Sequence, residues 1–183
     1  MSATETLGAV VSALDRAGIA HMLAGSFASS LHGVARTTAD IDLIVEIGPG
    51  AIDRFIGDLD RDRFYIDEQT ARSLLPGGQC NVIDTTTGWK IDLVRIRDRP
   101  FSATEFGRRL PAKVLGVPVF VASAEDTVLA KLEWSRASGS GRQIQDVIDL
   151  LRVRADDLDG AYLDRWAAEL GVVDLLDAAR GTA

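Results

Sequence analysis

The sequence predicts an α/β (α+β) chain, with a strand-containing first part over residues 1–122 and an all-helical part over residues 123–183. Three observations carry this. Short apolar runs, bounded by Gly, Pro and Asp, alternate with segments of helical period up to Ala122. From Ser123 onward only helical periodicity remains. A hydrophobic fraction of 46% over 183 residues is enough for a sizeable core without disulfides or structural metals.

The elements follow in order. Leu7, Val10, Val11 and Leu14 repeat at i, i+3, i+4 and i+7, which predicts an amphipathic helix over 3–17 ended by Gly18. "IAHMLAG" reads as a short strand stopping at Gly25. "SFASSLHG" reads as a helix with Ser26 as N-cap and Gly33 as its stop. "DIDLIVEI" is the next strand. "GPGAIDRFIGDLD" gives a turn and a helix with Ile52, Phe55, Ile56 and Leu59 on one face. "RFYID" is a short strand and "EQTARSLL" a short helix. "CNVIDT" and "WKIDLVRI" flank "TTTG" as a hairpin. "TEFGRRL" is a brief helix, and "AKVLGVPVFVA" a strand pair broken at Gly116 and Pro118. "SAEDTVLAKLEWSRAS" opens on a Ser-x-x-Asp start signal, and three further helical segments follow the linker "SGSG".

Composition narrows the function. Cys80 is the only cysteine, so an internal disulfide and a multi-cysteine zinc site are excluded. The two histidines, His21 and His32, read as structural. No run approaches the ~20 apolar residues of a membrane helix, and the N-terminus lacks the pattern of an export signal. The expectation is a cytoplasmic protein with no membrane partner. A net charge of −7 confines any nucleic-acid contact to local basic clusters, Arg95–Arg97–Arg99 and Arg108–Arg109–Lys113. An acidic chain also suits a protein that holds divalent cations.

The chemistry centres on carboxylates. Asp40 and Asp42 stand at i and i+2 of a predicted strand, so alternation sends both to one face and Ile41 and Leu43 to the other. A rise of ~3.3 Å per residue separates them by roughly 6.5–7 Å. That spacing suits a grip on two metal ions about 3.5–4 Å apart, as in two-metal phosphoryl transfer. Asp58/Asp60, Asp60/Asp62 and Asp157/Asp159 share the spacing, but only Asp40/Asp42 leads into a core-like apolar run. Asp92, between Ile91 and Leu93, is a third acid that strand pairing beside "DIDLIV" would bring to the same side; the alternative is an exposed residue on an edge strand with Lys90. Gly25 and Ser26 occupy a strand-to-helix turn, where backbone N–H groups and a hydroxyl suit a phosphate. Arg36, Thr37 and Thr38 follow, able to contact a polyphosphate or to cap the strand.

Together these residues resemble the nucleotidyltransferase superfamily of the polymerase-beta type. Its motif is a Gly-Gly or Gly-Ser turn, a spacer, an acid–hydrophobic–acid–hydrophobic run and a third acid on a later strand. The matching residues are Gly25-Ser26, Asp40 to Leu43, and Asp92. The tail from Ser123 resembles the helical part of AbiEii-type members, which include toxins of toxin–antitoxin pairs. Lys131, Arg142 and Asp146 match the positions where those members carry a triphosphate-contacting Lys and an Arg…Asp pair. An i, i+4 surface pair of Arg142 and Asp146 is the plainer reading of that spacing. The resemblance covers residues 20–152.

The resemblance implies a small mixed β-sheet core with flanking helices. It implies transfer of a nucleoside monophosphate from an NTP to an acceptor hydroxyl, with two Mg²⁺ ions held by Asp40, Asp42 and Asp92. Gly25, Ser26, Arg36, Thr38, Lys131, Arg142 and Asp146 would meet the nucleotide. The acceptor would be tRNA, with an antitoxin protein as partner, or a small molecule such as an aminoglycoside. A non-catalytic member that only binds a nucleotide or a partner is the remaining alternative. Haloacid-dehalogenase-type phosphatases and many glycosyltransferases also use Asp-x-Asp, but there the acids end an apolar strand. Here the apolar run follows them.

Overall fold

The computed structural model describes residues 2–34, 38 and 40–183. Helix α1 (Ala3–Ala17) starts at a capping box between Ser2 and Glu5 and ends at Gly18. It buries Leu7, Val10, Val11 and Leu14, the predicted stripe. Strand β1 (Ala20–Leu23) follows, then helix α2 (Gly25–Leu31), strand β2 (Asp40–Glu46) and helix α3 (Ala51–Asp58). Strand β3 (Phe64–Ile66) and helix α4 (Glu68–Arg72) lead into β4 (Gln79–Asp84) and β5 (Lys90–Arg95), the expected hairpin. Helix α5 (Pro100–Gly107) begins four residues before the predicted start at Thr104, because Pro100 at its first turn has no N–H to leave unbonded. Strands β6 (Leu110–Val114) and β7 (Val117–Val121) pair around Leu115-Gly116. Helices α6 (Ala124–Ser138), α7 (Gly141–Val153), α8 (Gly160–Leu170) and α9 (Val173–Arg180) complete the chain.

One mixed sheet of seven strands runs β3-β4-β5-β2-β1-β7-β6. β2 lies antiparallel to β1 and parallel to β5, in the centre of the sheet. The edge-strand alternative for Asp92 is therefore corrected: β5 is flanked by β2 on one side and β4 on the other. Ile41, Leu43 and Val45 of β2 and Ile91 and Leu93 of β5 are fully or almost fully buried. Helix α1 packs on β1, β7 and α3.

The chain forms two compact units. The first consists of Met1–Ala24 and Thr38–Val121 and holds the sheet. The second joins Gly25–Thr37 to Ala122–Ala183 and is helical. The expected division at residue 122 marks where the chain enters the second unit for good, but α2 also belongs there. In that unit α2 packs on α6, and His32 Nε2 lies 2.8 Å from the Ala122 carbonyl. Gly33, at φ +105°, lies so close to Val153 that an added Cβ would come within 2.7 Å of its Cγ1.

Candidate active site

The carboxylates meet through strand register. β2 and β5 are parallel and pair Asp40 with Lys90, Ile41 with Ile91 and Asp42 with Asp92. Paired residues on neighbouring strands point to the same side, with backbones roughly 4.8 Å apart. Asp40, Asp42, Lys90 and Asp92 thus share one face, and the isoleucines between them fill the other. Asp40 is exposed, Asp42 half-buried, and Asp92 only 7% exposed. β4 extends the row, since Asn81 pairs with Asp92 from its other side.

Lys90 is the residue that sequence reasoning missed as part of this site. Its Nζ lies 3.2 Å from Asp92 Oδ2 and 3.4 Å from Asp40 Oδ1. Burial works against the ammonium charge, but the hydrogen bonds and charges of Asp92 and Asp40 outweigh it and hold the Lys90 pKa above its ordinary value. The signal was legible: Lys90 stands two residues before Asp92, and strand alternation puts both on one face. The other oxygen of Asp92, Oδ1, is buried and has no hydrogen-bond partner among the described residues. A buried carboxylate oxygen without a donor is costly, and it marks a place for a group the protein itself does not supply.

The donor set suits a hard cation. Mg²⁺ takes carboxylate oxygens, commonly one or two, with substrate phosphates and waters completing its shell. Asp42 beside Asp92, with the orphaned Oδ1, fits such an open arrangement. Among the described residues, no three or more His, Cys, Asp or Glu side chains are gathered closely enough to enclose a metal by themselves. Nearby, burial first and then the charges of Asp92 and Asp67 push the Cys80 thiol up to about 11, so this cysteine stays protonated at neutral pH.

The remaining predicted residues divide between the units. Thr38, in the sheet unit, ties its hydroxyl to the backbone of Asp40, accepting from its N–H and donating to its carbonyl, both at 3.2 Å. It caps the start of β2. Arg36 lies outside the described residues. Gly25 and Ser26 open α2, with Gly25 at φ +61°, a conformation that favours glycine. Ser26 is the second residue of that helix and not its N-cap; the turn is made by Gly25 itself, and the Ser26 carbonyl accepts from Ser30 Oγ at 3.0 Å. In α6, Lys131 is 5% exposed and donates to Asp146 Oδ2 at 2.7 Å and Gln143 Oε1 at 3.0 Å. The surface pairing of Arg142 with Asp146 is corrected: Asp146 is buried and turned to Lys131, while Arg142 is exposed at the start of α7.

The architecture has solved counterparts. The antibiotic-resistance factor ANT(2'')-Ia superposes with a TM-score of 0.56 at 18% identity, over 97% of this chain and 91% of that one. The fold is that of the nucleotidyltransferases. An antigenic nucleotidyltransferase-like protein from Paracoccidioides brasiliensis carries the same fold, with a TM-score of 0.55 at 19% identity over 96% and 92% of the two chains. The lincomycin-bound lincosamide antibiotic adenylyltransferase LnuA does so too, at 0.54 and 13% over 81% and 96%. No protein-family model and no curated protein matches the chain. Within this nucleotidyltransferase fold, Asp40, Asp42 and Asp92 lie on the two central strands β2 and β5. Among the described residues no helix is long and apolar enough to cross a membrane.

Proposed function

We propose that this chain is a Mg²⁺-dependent nucleotidyltransferase that moves an NMP from an NTP to an acceptor hydroxyl, with Asp40, Asp42 and Asp92 as its catalytic carboxylates. The observation that carries the reading is the register of Asp42 against Asp92 on the central strands, with Asp92 Oδ1 buried and unpartnered. Asp40, Asp42 and Asp92 would offer the cation hard oxygen donors, with substrate phosphates and water completing its shell. Bound Mg²⁺ supplies Lewis-acid polarisation of the phosphoryl oxygens. Asp92 receives the acceptor hydroxyl and takes its proton, while the acceptor oxygen attacks the α-phosphorus and pyrophosphate leaves. The expected nucleotide contacts Gly25, Ser26, Lys131, Arg142 and Asp146 belong to the helical unit, where Lys131 and Asp146 pair their charges. Thr38 caps the entry to β2, and Arg36 is kept as a triphosphate contact. Most of this is positioning and electrostatic stabilisation, which phosphoryl transfer chiefly requires.

For the acceptor, a small molecule bearing hydroxyl groups is the better fit. The net charge is −7, and the basic clusters are partly engaged by the fold. Arg95 donates to the Leu74 carbonyl at 2.6 Å, Arg99 to Ser102 Oγ at 3.0 Å, and Arg109 stacks on the rings of Phe106 and Phe120. The antibiotic adenylyltransferases among the structural counterparts give this direction a precedent in the same fold. Transfer to tRNA, as a toxin controlled by an antitoxin protein, is the second reading, favoured by the exposed Arg97 and Lys113.

The deciding experiment incubates the chain with Mg²⁺ and each labelled NTP, separately with aminoglycosides, lincosamides and bulk tRNA. Label is expected on a small-molecule acceptor and is expected to fall at least about 100-fold in Asp42→Asn, the scale of losing one preorganised electrostatic group. Equal labelling by wild type and Asp42→Asn would sink the assignment. Label on tRNA alone would move the acceptor to the second reading.

A further inference from the structure

Lys90 stands between two of the three carboxylates that the two-metal expectation assigns to cations. Its ammonium lies between Asp40 and Asp92, within 3.4 Å of the one and 3.2 Å of the other. The side chain is about one-third exposed, at 33%, and the register fixes it beside both acids. Lysine carries a compact point charge, so it neutralises carboxylates much as a small cation does. Three carboxylates and one ammonium leave this cluster at −2, a charge that one divalent ion balances.

We infer that Lys90 is the resident second cation of this site, so that Asp40, Asp42 and Asp92 take one divalent ion and not two. This rests on the nucleotidyltransferase reading and deepens it. Asp92 Oδ2 is committed to Lys90, and Oδ1 remains for the ion or the acceptor. Lys90 is thus a positioning residue: it fixes the orientation of Asp92 and bars a second ion by occupancy and like charge. A divalent ion entering beside Asp40 and Asp92 has to displace an ammonium held by two carboxylates.

The test counts Mn²⁺ bound to the full chain, without nucleotide, by electron spin resonance of the free ion. Wild type is expected to bind one Mn²⁺ per chain. Lys90→Met, which keeps the stem and removes the charge, is expected to bind two, and Lys90→Arg one. Thermal unfolding of each variant reports whether the fold persists; a purely structural lysine would lower stability and leave the count at one, which would overturn the inference. Two ions in wild type would overturn it as well, while the transfer assay with Asp42→Asn still upholds the enzyme reading. No Mn²⁺ bound by wild type or Lys90→Met would overturn both the inference and the metal-dependent reading.

Discussion

Lys131 and Asp146 meet in a place where neither charge would be tolerated alone. Both are more than 90% buried, and the 2.7 Å hydrogen bond between them ties α6 to α7. Removing one partner of such a pair takes from the other its closest opposite charge, at a cost of up to about 3–5 kcal/mol. Lys131→Met should therefore lower the urea unfolding free energy by that amount, and Lys131→Met with Asp146→Leu should recover most of it. A double variant as unstable as the single one would contradict this account. The sequence pointed to Lys131 as a partly buried stem between Leu129 and Leu132, and that much was readable. That its ammonium would also be covered was not readable, because the acceptors on Gln143 and Asp146 sit on a different helix. Spacing within one helix suggested Arg142 as the partner of Asp146 instead. That Asp40 and Asp42 share one face was legible because alternation within a strand is a local property, whereas the approach of Asp92 rests on strand pairing. That Lys90 shares a face with Asp92 was equally local, but its place beside Asp40 was not legible, because it depends on which strand pairs with β2 and in what register.

Among the elements, the hairpin of β4 and β5 is anchored at one end by Asp84. This carboxylate has no accessible surface; it accepts from Thr6 Oγ1 at 2.6 Å, from Arg63 Nε and Nη2 at 3.0 and 2.8 Å, and from Thr86 Oγ1 at 2.6 Å. One residue thus joins α1, the approach to β3 and the β4–β5 turn. Burial is the largest single influence and favours the neutral form; the bonds from Arg63, Thr6 and Thr86 together outweigh it and hold the Asp84 carboxyl well below the ordinary carboxylate range. A depressed folded pKa gives stability that is present above the unfolded value near 3.8 and lost as the pH falls through the folded one. Asp84→Asn should cost roughly 1.5–3 kcal/mol at pH 7. The gap to wild type should narrow below about pH 4, read from urea midpoints at pH 7 and pH 3. A gap that stays constant across that range would place the loss in packing and not in charge. Strand and helix positions were largely legible from periodicity and from Gly and Pro punctuation. The exceptions, α5 starting at Pro100 and α2 starting at Gly25 ahead of Ser26, are boundary effects set by single residues that tolerate unusual backbone positions.

At the scale of the whole molecule, a boundary near residue 122 was visible because strand signals give way to helical period there. That α2 joins the later helices was not visible, since nothing local in "GSFASSL" distinguishes a helix that packs on a sheet from one that packs on α6. The consequence concerns how the chain can be divided. A polypeptide made of residues 122–183 would lack α2 and with it the buried Ala28, Ser29 and His32, so α6 would be left with an uncovered flank. Such a fragment should give a broad, weakly cooperative melt by circular dichroism, sharpened by adding a peptide of residues 24–38; a sharp melt without the peptide would contradict the interleaving. Isolating the helical unit therefore calls for splicing residues 25–37 to residues 122–183 through a linker, and not for a single cut.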